Sequence, residues 1–284
     1  MKKLLIALSV LVSLSACQKE GSFEIDGDNP GNPGNPGNGG NPNGSLLVRV
    51  GARIGADTIT TNFSYNSANL LTAYSYSGSV LGESANAEIR VVRNAANIIS
   101  ALVVKADIYD VIGLDSVVTN FVYDAVKRQY KHGVGTYTFM GVPTTDSAVF
   151  SYNAAGNVQS VTSFHDEGNG FELDTKVEYT YSGNNLASVK NYSFDGSVFE
   201  LEQTTTYDQY DDKINPLEFK ADAPALGMTS HFSANNVVKQ TVTDHFGGAS
   251  QTASYTFSYN TVNRPTRSVS TNGMASAVTS YVYM

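Results

Sequence analysis

Tryptophan is missing from this 284-residue chain, and cysteine occurs once, at position 17. A lone cysteine excludes an internal disulfide, so a folded domain here stands on its core alone. It also excludes zinc sites built from several cysteines. Charged residues are scarce, at 15% of the chain, against about 25% in an ordinary domain. The 18 basic residues form no cluster in the sequence, and 26 acidic residues outnumber them. That balance argues against nucleic acid and anionic membrane surfaces as partners. Helical periodicity is missing as well. The closest candidate, Leu217 to Met228, is interrupted by Pro224 and Gly227 and reads as a long loop.

No apolar run reaches the roughly twenty residues of a membrane-spanning helix. The run from Leu4 to Leu14 has the length of a secretory h-region and follows Lys2 and Lys3. It ends in Leu14-Ser15-Ala16-Cys17. These four positions resemble the lipobox of bacterial lipoproteins. The resemblance implies cleavage before Cys17, a thioether-linked diacylglycerol on its sulfur, and membrane attachment through that lipid. Gln18-Lys19-Glu20 resembles the start of a charged surface-export signal, with Gly21 interrupting it. An aspartate at position 18 would retain such a protein in the inner membrane. The expectation is therefore a lipid-anchored protein of the outer membrane, on its cell-surface or periplasmic face.

Residues 21–45 carry three Asn-Pro-Gly triplets and four of the eight prolines. They have no apolar side chains sufficient to offset the entropy of ordering. As a coil, such a linker spans roughly 25–30 Å. The chain thus divides into a signal peptide (1–16), a lipidated N-terminus and linker (17–45) and a folded domain (46–284).

Within 46–284 the local period is two. Val177, Tyr179 and Tyr181 alternate with Glu178, Thr180 and Ser182, and Tyr255, Phe257 and Tyr259 with Thr256, Ser258 and Asn260. Such alternation predicts strands with one buried face. A unit recurs every 27 residues or so, in the range of repeat architectures. It reads aromatic, any residue, Tyr, then Asn, Asp or Ser, two or three loose positions, Asn or Gly, and an aliphatic residue. Copies begin at Phe63, Phe121, Phe150, Tyr179 and Phe257, and Tyr281-Val282-Tyr283 is a truncated one. Two rings on one strand face, a side chain that bonds its own backbone and a residue at positive φ together make a hairpin end. The predicted fold is all-β: an up-and-down antiparallel meander of about 16–18 strands, curled into a barrel or rolled sheet. The final strand, Ala277 to Tyr283, would be an aggregation-prone edge if left open. It is expected to be paired or covered, either by sealing against the start of the meander near Leu46 to Val50 or by packing inside a roll.

Phe150-Ser151-Tyr152-Asn153-Ala154-Ala155-Gly156-Asn157-Val158 resembles the YD repeat of RHS and teneurin-type proteins. With the lipobox and linker, the chain resembles uncharacterised YD-repeat-like bacterial lipoproteins. The resemblance implies a barrel-like β domain and no established activity. Along the repeats Tyr-Asp itself survives at Tyr123-Asp124, Tyr207-Asp208 and Tyr210-Asp211, and no RHS self-cleavage core is visible.

Candidate chemistry is sparse. His132, His165, His231 and His245 fall in no metal-binding spacing, and no Gly-x-Ser-x-Gly elbow supports a Ser-His-Asp site. Asp208, Asp211 and Asp212 are the densest carboxylates and the candidate calcium ligands. Tyr65, Tyr123, Tyr152, Tyr181 and Tyr259 are the candidate binding residues, as a ladder of rings able to stack on sugars; the competing reading is that they are core. No cofactor is implied. Three functions fit. One is a non-enzymatic binding module for glycan, lipid or an envelope protein. The others are a structural or envelope-assembly lipoprotein and a hydrolase with an unrecognised site. A His-centred cluster in a cleft would favour the hydrolase.

Overall fold

The computed structural model describes residues 46–284 apart from 81, 82, 112, 140, 220 and 273–275. The signal segment, Cys17 and the linker lie outside the described residues. The chain opens with β1 (Leu47–Ile54), β2 (Asp57–Tyr65), β3 (Leu71–Val80) and the two-residue β4 (Glu83–Ser84). It continues with β5 (Ala87–Arg93), β6 (Ile99–Ala106), the short helix α1 (Asp107–Val111), β7 (Val117–Asp124), β8 (Gln129–Phe139) and β9 (Val142–Tyr152). Then follow β10 (Val158–Asp166), β11 (Glu172–Ser182), β12 (Asn185–Phe194) and the long β13 (Phe199–Ile214). A segment with α2 (Ala223–Leu226) and a 3-10 turn (Thr229–Phe232) leads to β14 (Asn235–Asp244), β15 (Ser250–Tyr259), β16 (Pro265–Thr271) and β17 (Ser276–Tyr283).

Every strand pairs antiparallel with its sequence neighbour, and β4 pairs only with β3. The remaining sixteen strands form a closed barrel, because β1 pairs with both β2 and β17. Leu47 faces Tyr283 and Val50 faces Tyr281, so the final strand seals on the first as its edge chemistry demands. Leu46 and Met284 exchange backbone hydrogen bonds at one end of the barrel, here the lower end. At the upper end, Gly78 passes so close to β2 that a Cβ would lie 1.9 Å from the Thr58 carbonyl oxygen. That position admits only glycine.

The repeat maps onto the lower hairpin ends. Asn66 Oδ1 accepts the backbone N–H groups of Ala68 and Leu70, and Asn69 takes φ 60°. Asn94, Asn153 and Asn260 do the same, with Asn97, Gly156 and Asn263 at positive φ. These are the turn roles that the asparagine spacing calls for.

The strand faces that carry the repeat's paired rings point into the barrel. Leu47, Phe63, Leu71, Tyr74, Ile99 and Tyr130 are buried there. Residues 215–234, between β13 and β14, do not hang outside as a surface loop. Leu217, Phe219 and Met228 pack against this core, Ala225 and Leu226 are part of it, and Phe232 meets the ring of Tyr179. The segment plugs the lower half. Its helix is only four residues long and starts on Pro224, so it left no helical period in the sequence.

Candidate functional site

The lower inner wall is a set of tyrosine locks. Tyr65 Oη donates to the Leu47 carbonyl at 2.7 Å, Tyr152 to Tyr130 at 2.9 Å, Tyr210 to Leu186 at 2.8 Å and Tyr283 to Pro265 at 2.7 Å. In each case the foot of a descending strand is tied to the foot of the strand before it. Arg93 takes the tyrosine's place on β5, its Nε donating to the Leu71 carbonyl at 3.0 Å. Burial raises the hydroxyl pKa of Tyr65 and Tyr152 to about 12, so both stay protonated donors. Of the five candidate tyrosines, Tyr65 and Tyr152 are therefore locks. Tyr181 is turned inward with a buried hydroxyl that has no partner, and Tyr259 donates to Asp211. Tyr123 packs edge-on against Tyr130. It borders a cleft of about 500 Å³ at the lower end with Asn94, Ile98, Phe121 and Arg128.

Asp208, Asp211 and Asp212 are adjacent in sequence but divided by the fold. Asp208 accepts from Thr241 Oγ1 at 2.8 Å on the outer wall. Asp211 accepts from Asn236, the Lys213 backbone and Tyr259. Asp212 is exposed beside Lys213, 3.1 Å away. Among the described residues no group of three His, Cys, Asp or Glu side chains is placed to hold a metal ion.

The plug is fastened by charge. Asp222 meets Arg93 in a two-pronged ion pair, at 2.6 Å and 3.3 Å, with side-chain exposures of 15% and 7%. His231 is 1% exposed, and its Nδ1 donates to the Leu217 carbonyl at 2.6 Å. Burial pushes its pKa down to about 4, which keeps the ring neutral and packed edge-on against Phe219.

A second titratable group lines the upper mouth, on the inner faces of β8 to β11. Tyr137 Oη donates to Asp146 Oδ2 at 2.8 Å. The other oxygen of Asp146 lies 2.7 Å from His165 Nδ1, and His165 Nε2 lies 3.3 Å from Glu167. Burial works against a charged His165, but the hydrogen bonds and charges of Asp146 and Glu167 outweigh it and raise its pKa. Asp174 stands close by. Burial raises its pKa and His165 opposes this, while Asp146 and Glu202 add to the rise. Sequence spacing gave no sign of this cluster, since its members come from four strands and a turn. Both ring nitrogens of His165 face carboxylates, an arrangement that holds an imidazolium and leaves no nitrogen to activate a nucleophile. His245 meets Thr204 on the outer wall at 2.9 Å, and His132 pairs with Val149 between β8 and β9.

The outer wall carries the opposite chemistry to the interior. Across β13 to β15 it presents hydroxyl pairs, Thr241 with Thr252 at 3.1 Å and Thr243 with Ser250 at 2.9 Å. Ser151 with Ser160 and Thr180 with Ser188 extend the pattern to β9 to β12. Thr256 and Ser258 continue it along β15. A lipid-facing wall needs a continuous apolar band around its circumference, and this wall breaks that band with serine and threonine.

No family model matches the chain, and no curated protein matches it. Solved structures of similar fold exist. One is a porin-like protein from Bacteroides uniformis ATCC 8492, at a TM-score of 0.52 and 12% identity, covering 85% of this chain and 99% of that one. Another is a porin-like protein from Bacteroides vulgatus ATCC 8482, at 0.52 and 10%, covering 84% and 99%. At these identities the likeness is one of fold.

Proposed function

We propose that this chain is an envelope lipoprotein: Cys17, acylated after signal cleavage, holds a plugged, water-exposed β-barrel beside the outer membrane. The barrel serves as a non-enzymatic interaction module. The observation that carries this reading is the outer wall of paired serines and threonines. Hydroxyls at that density are at home in water, so a porin-like barrel with this exterior is a passenger of the membrane and not its channel. The plug between β13 and β14 supports the same reading, because it fills the lower half with Ala225, Leu226 and Phe232. The repeated asparagine turns and tyrosine locks fit a degenerate YD-type unit used as scaffold. The barrel's start at Leu46, on the same end as Met284, supports a reading with that end toward the membrane and the mouth away from it.

The test has two arms. A fatty-acid probe fed to cells should label the chain and fail to label Cys17→Ser. Vesicles carrying the acylated protein should hold a trapped sugar as tightly as empty vesicles. Label on the Ser variant would sink the anchor, and sugar leakage would sink the plugged, non-spanning barrel.

A further inference from the structure

Charge in this barrel is sorted along its axis, although it is scattered in sequence. The upper connections and strand ends 166–174, 195–202 and 244–250 contain eight carboxylates and no lysine or arginine. The lower turns 125–131 and 260–267 contain Lys127, Arg128, Lys131, Arg264 and Arg267 and no carboxylate. The end remote from the linker is acidic, while two turns at the linker's own end carry only basic charge.

On the acidic end the outer wall changes character. Phe164 lies opposite Leu173 between β10 and β11, Tyr192 opposite Leu201 and Phe194 opposite Phe199 between β12 and β13. These six occupy the outward positions that serine and threonine hold elsewhere. Three hairpin tips above them add side chains with large exposure, Phe171 at 55%, Val198 at 58% and Phe246 at 66%. The His245 backbone N–H bonds the Glu202 carbonyl, which brings the last tip alongside β13. Contiguous apolar surface of this kind marks a recognition site on a soluble domain.

One of the chain's own cations already sits on this face. Lys176, on β11 amid these rings, places its ammonium 5.8 Å from the Tyr192 ring centre and 5.9 Å from that of Phe199. Glu178 accepts it at 2.6 Å and also accepts the Tyr192 hydroxyl. Two ring faces and a carboxylate make a receptor for a cation. Acid around the patch repels nucleic acid and anionic lipid, and attracts a basic chain. The barrel is closed, so a partner gains no strand edge and is recognised through side chains.

We infer that the upper outer face of β10 to β13, with the tips at Phe171, Val198 and Phe246, docks a partner polypeptide segment in which lysine or arginine alternates with apolar residues. The inference rests on the interaction-module reading and specifies its partner. A second copy offering its own basic lower turns is the rival occupant, and the tether disfavours it by holding that end at the membrane.

The experiment uses the acylated chain in phosphatidylcholine nanodiscs, with empty discs as baseline, and three fluorescent peptides of equal length. One alternates lysine with leucine, one lysine with serine, and one glutamate with leucine. Fluorescence anisotropy should show the lysine–leucine peptide bound at least ten-fold more tightly than either control. Raising salt from 50 to 500 mM should weaken it at least ten-fold. Phe171→Ser with Phe246→Ser, both at exposed tips, should weaken it as much while leaving the melting temperature in place. Equal binding of the two lysine peptides, or full binding by the double variant, would overturn the inference. So would light scattering that shows the chains joining to each other in place of the peptide. If any of these occurs in protein that still takes the fatty-acid label and still seals vesicles, the docking face is wrong and the tethered module stands.

Discussion

Four tyrosine hydroxyls at the feet of descending strands do the same job in this barrel. Tyr152 Oη satisfies the Tyr130 carbonyl, so Tyr152→Phe should cost about 1 kcal/mol, the worth of a half-buried hydrogen bond. Tyr181 has the same sequence position in its repeat but a hydroxyl with no partner. Tyr181→Phe should be neutral or slightly stabilising, because it removes a buried polar atom that is bonded to nothing. Urea denaturation of the two variants side by side checks the pair; equal losses would refute the lock. The histidines give a second residue-scale expectation. His231 is held well below the ordinary value of 6.5, at about 4. The unfolded chain therefore binds more protons than the folded one between those values, and stability should fall as pH drops from about 6.5 toward 4. His165 is raised, so its contribution is present below pH 6.5 and is lost as pH rises through its folded pKa. Midpoints measured across pH 4 to 8 should lose their acid slope in His231→Gln and their alkaline slope in His165→Gln. The roles of the repeat residues were legible in sequence because turn asparagines and paired rings act locally. The His165 cluster was not, since only strand register brings Tyr137 to Asp146 and Asp146 to the His165 ring.

Among the elements, the plug depends most on distant partners. Its own helix is one turn long and could not persist alone; the wall holds it. Arg93 ties it to β3, β5 and the turn at Asn97 through the Leu71 and Asn97 carbonyls as well as Asp222. Removing one partner of a buried pair leaves an uncompensated charge, so Arg93→Ala should cost about 3 kcal/mol. It should also speed amide exchange across 217–232 more than across β14 to β17. Uniform exchange would mean that the pair does not fasten the plug. Strands were readable from period two, as at β15, where Ser250 to Tyr259 alternates exposed and half-buried without a break. The plug read as a loop for a physical reason. Pro224 and Gly227 punctuate it as they would a surface turn, and burial inside a barrel adds no local period. The β6–β7 connection hid α1 in the same way, behind a single helical turn with Tyr109 buried.

At the scale of the whole molecule, closure explains why so few charges are needed. A sealed sheet has no edge to protect, so Tyr281 and Tyr283 end the chain without the lysine or proline gatekeepers of an open strand. The polarity that results is apolar in the lower interior and hydroxylated over much of the outer wall, with acid at the mouth and basic turns at the end where Leu46 begins. The alternation of rings with residues such as Thr180, Ser182, Thr256 and Ser258 made a polar strand face legible, but not the axial sorting of charge, which depends on which hairpin ends face up. In the proposed tethered module this wall faces water while Cys17 holds the chain at the membrane. Thr252 is on the outer face of β15, paired to Thr241. With Thr252→Cys carrying a nitroxide in the full acylated chain, where the Cys17 sulfur is blocked by its lipid, accessibility in vesicles reports the surroundings directly. A water-facing wall should give strong relaxation by a water-soluble nickel chelate and weak relaxation by oxygen dissolved in the bilayer. Strong oxygen and weak nickel relaxation at Thr252 would place the wall in lipid and contradict that reading.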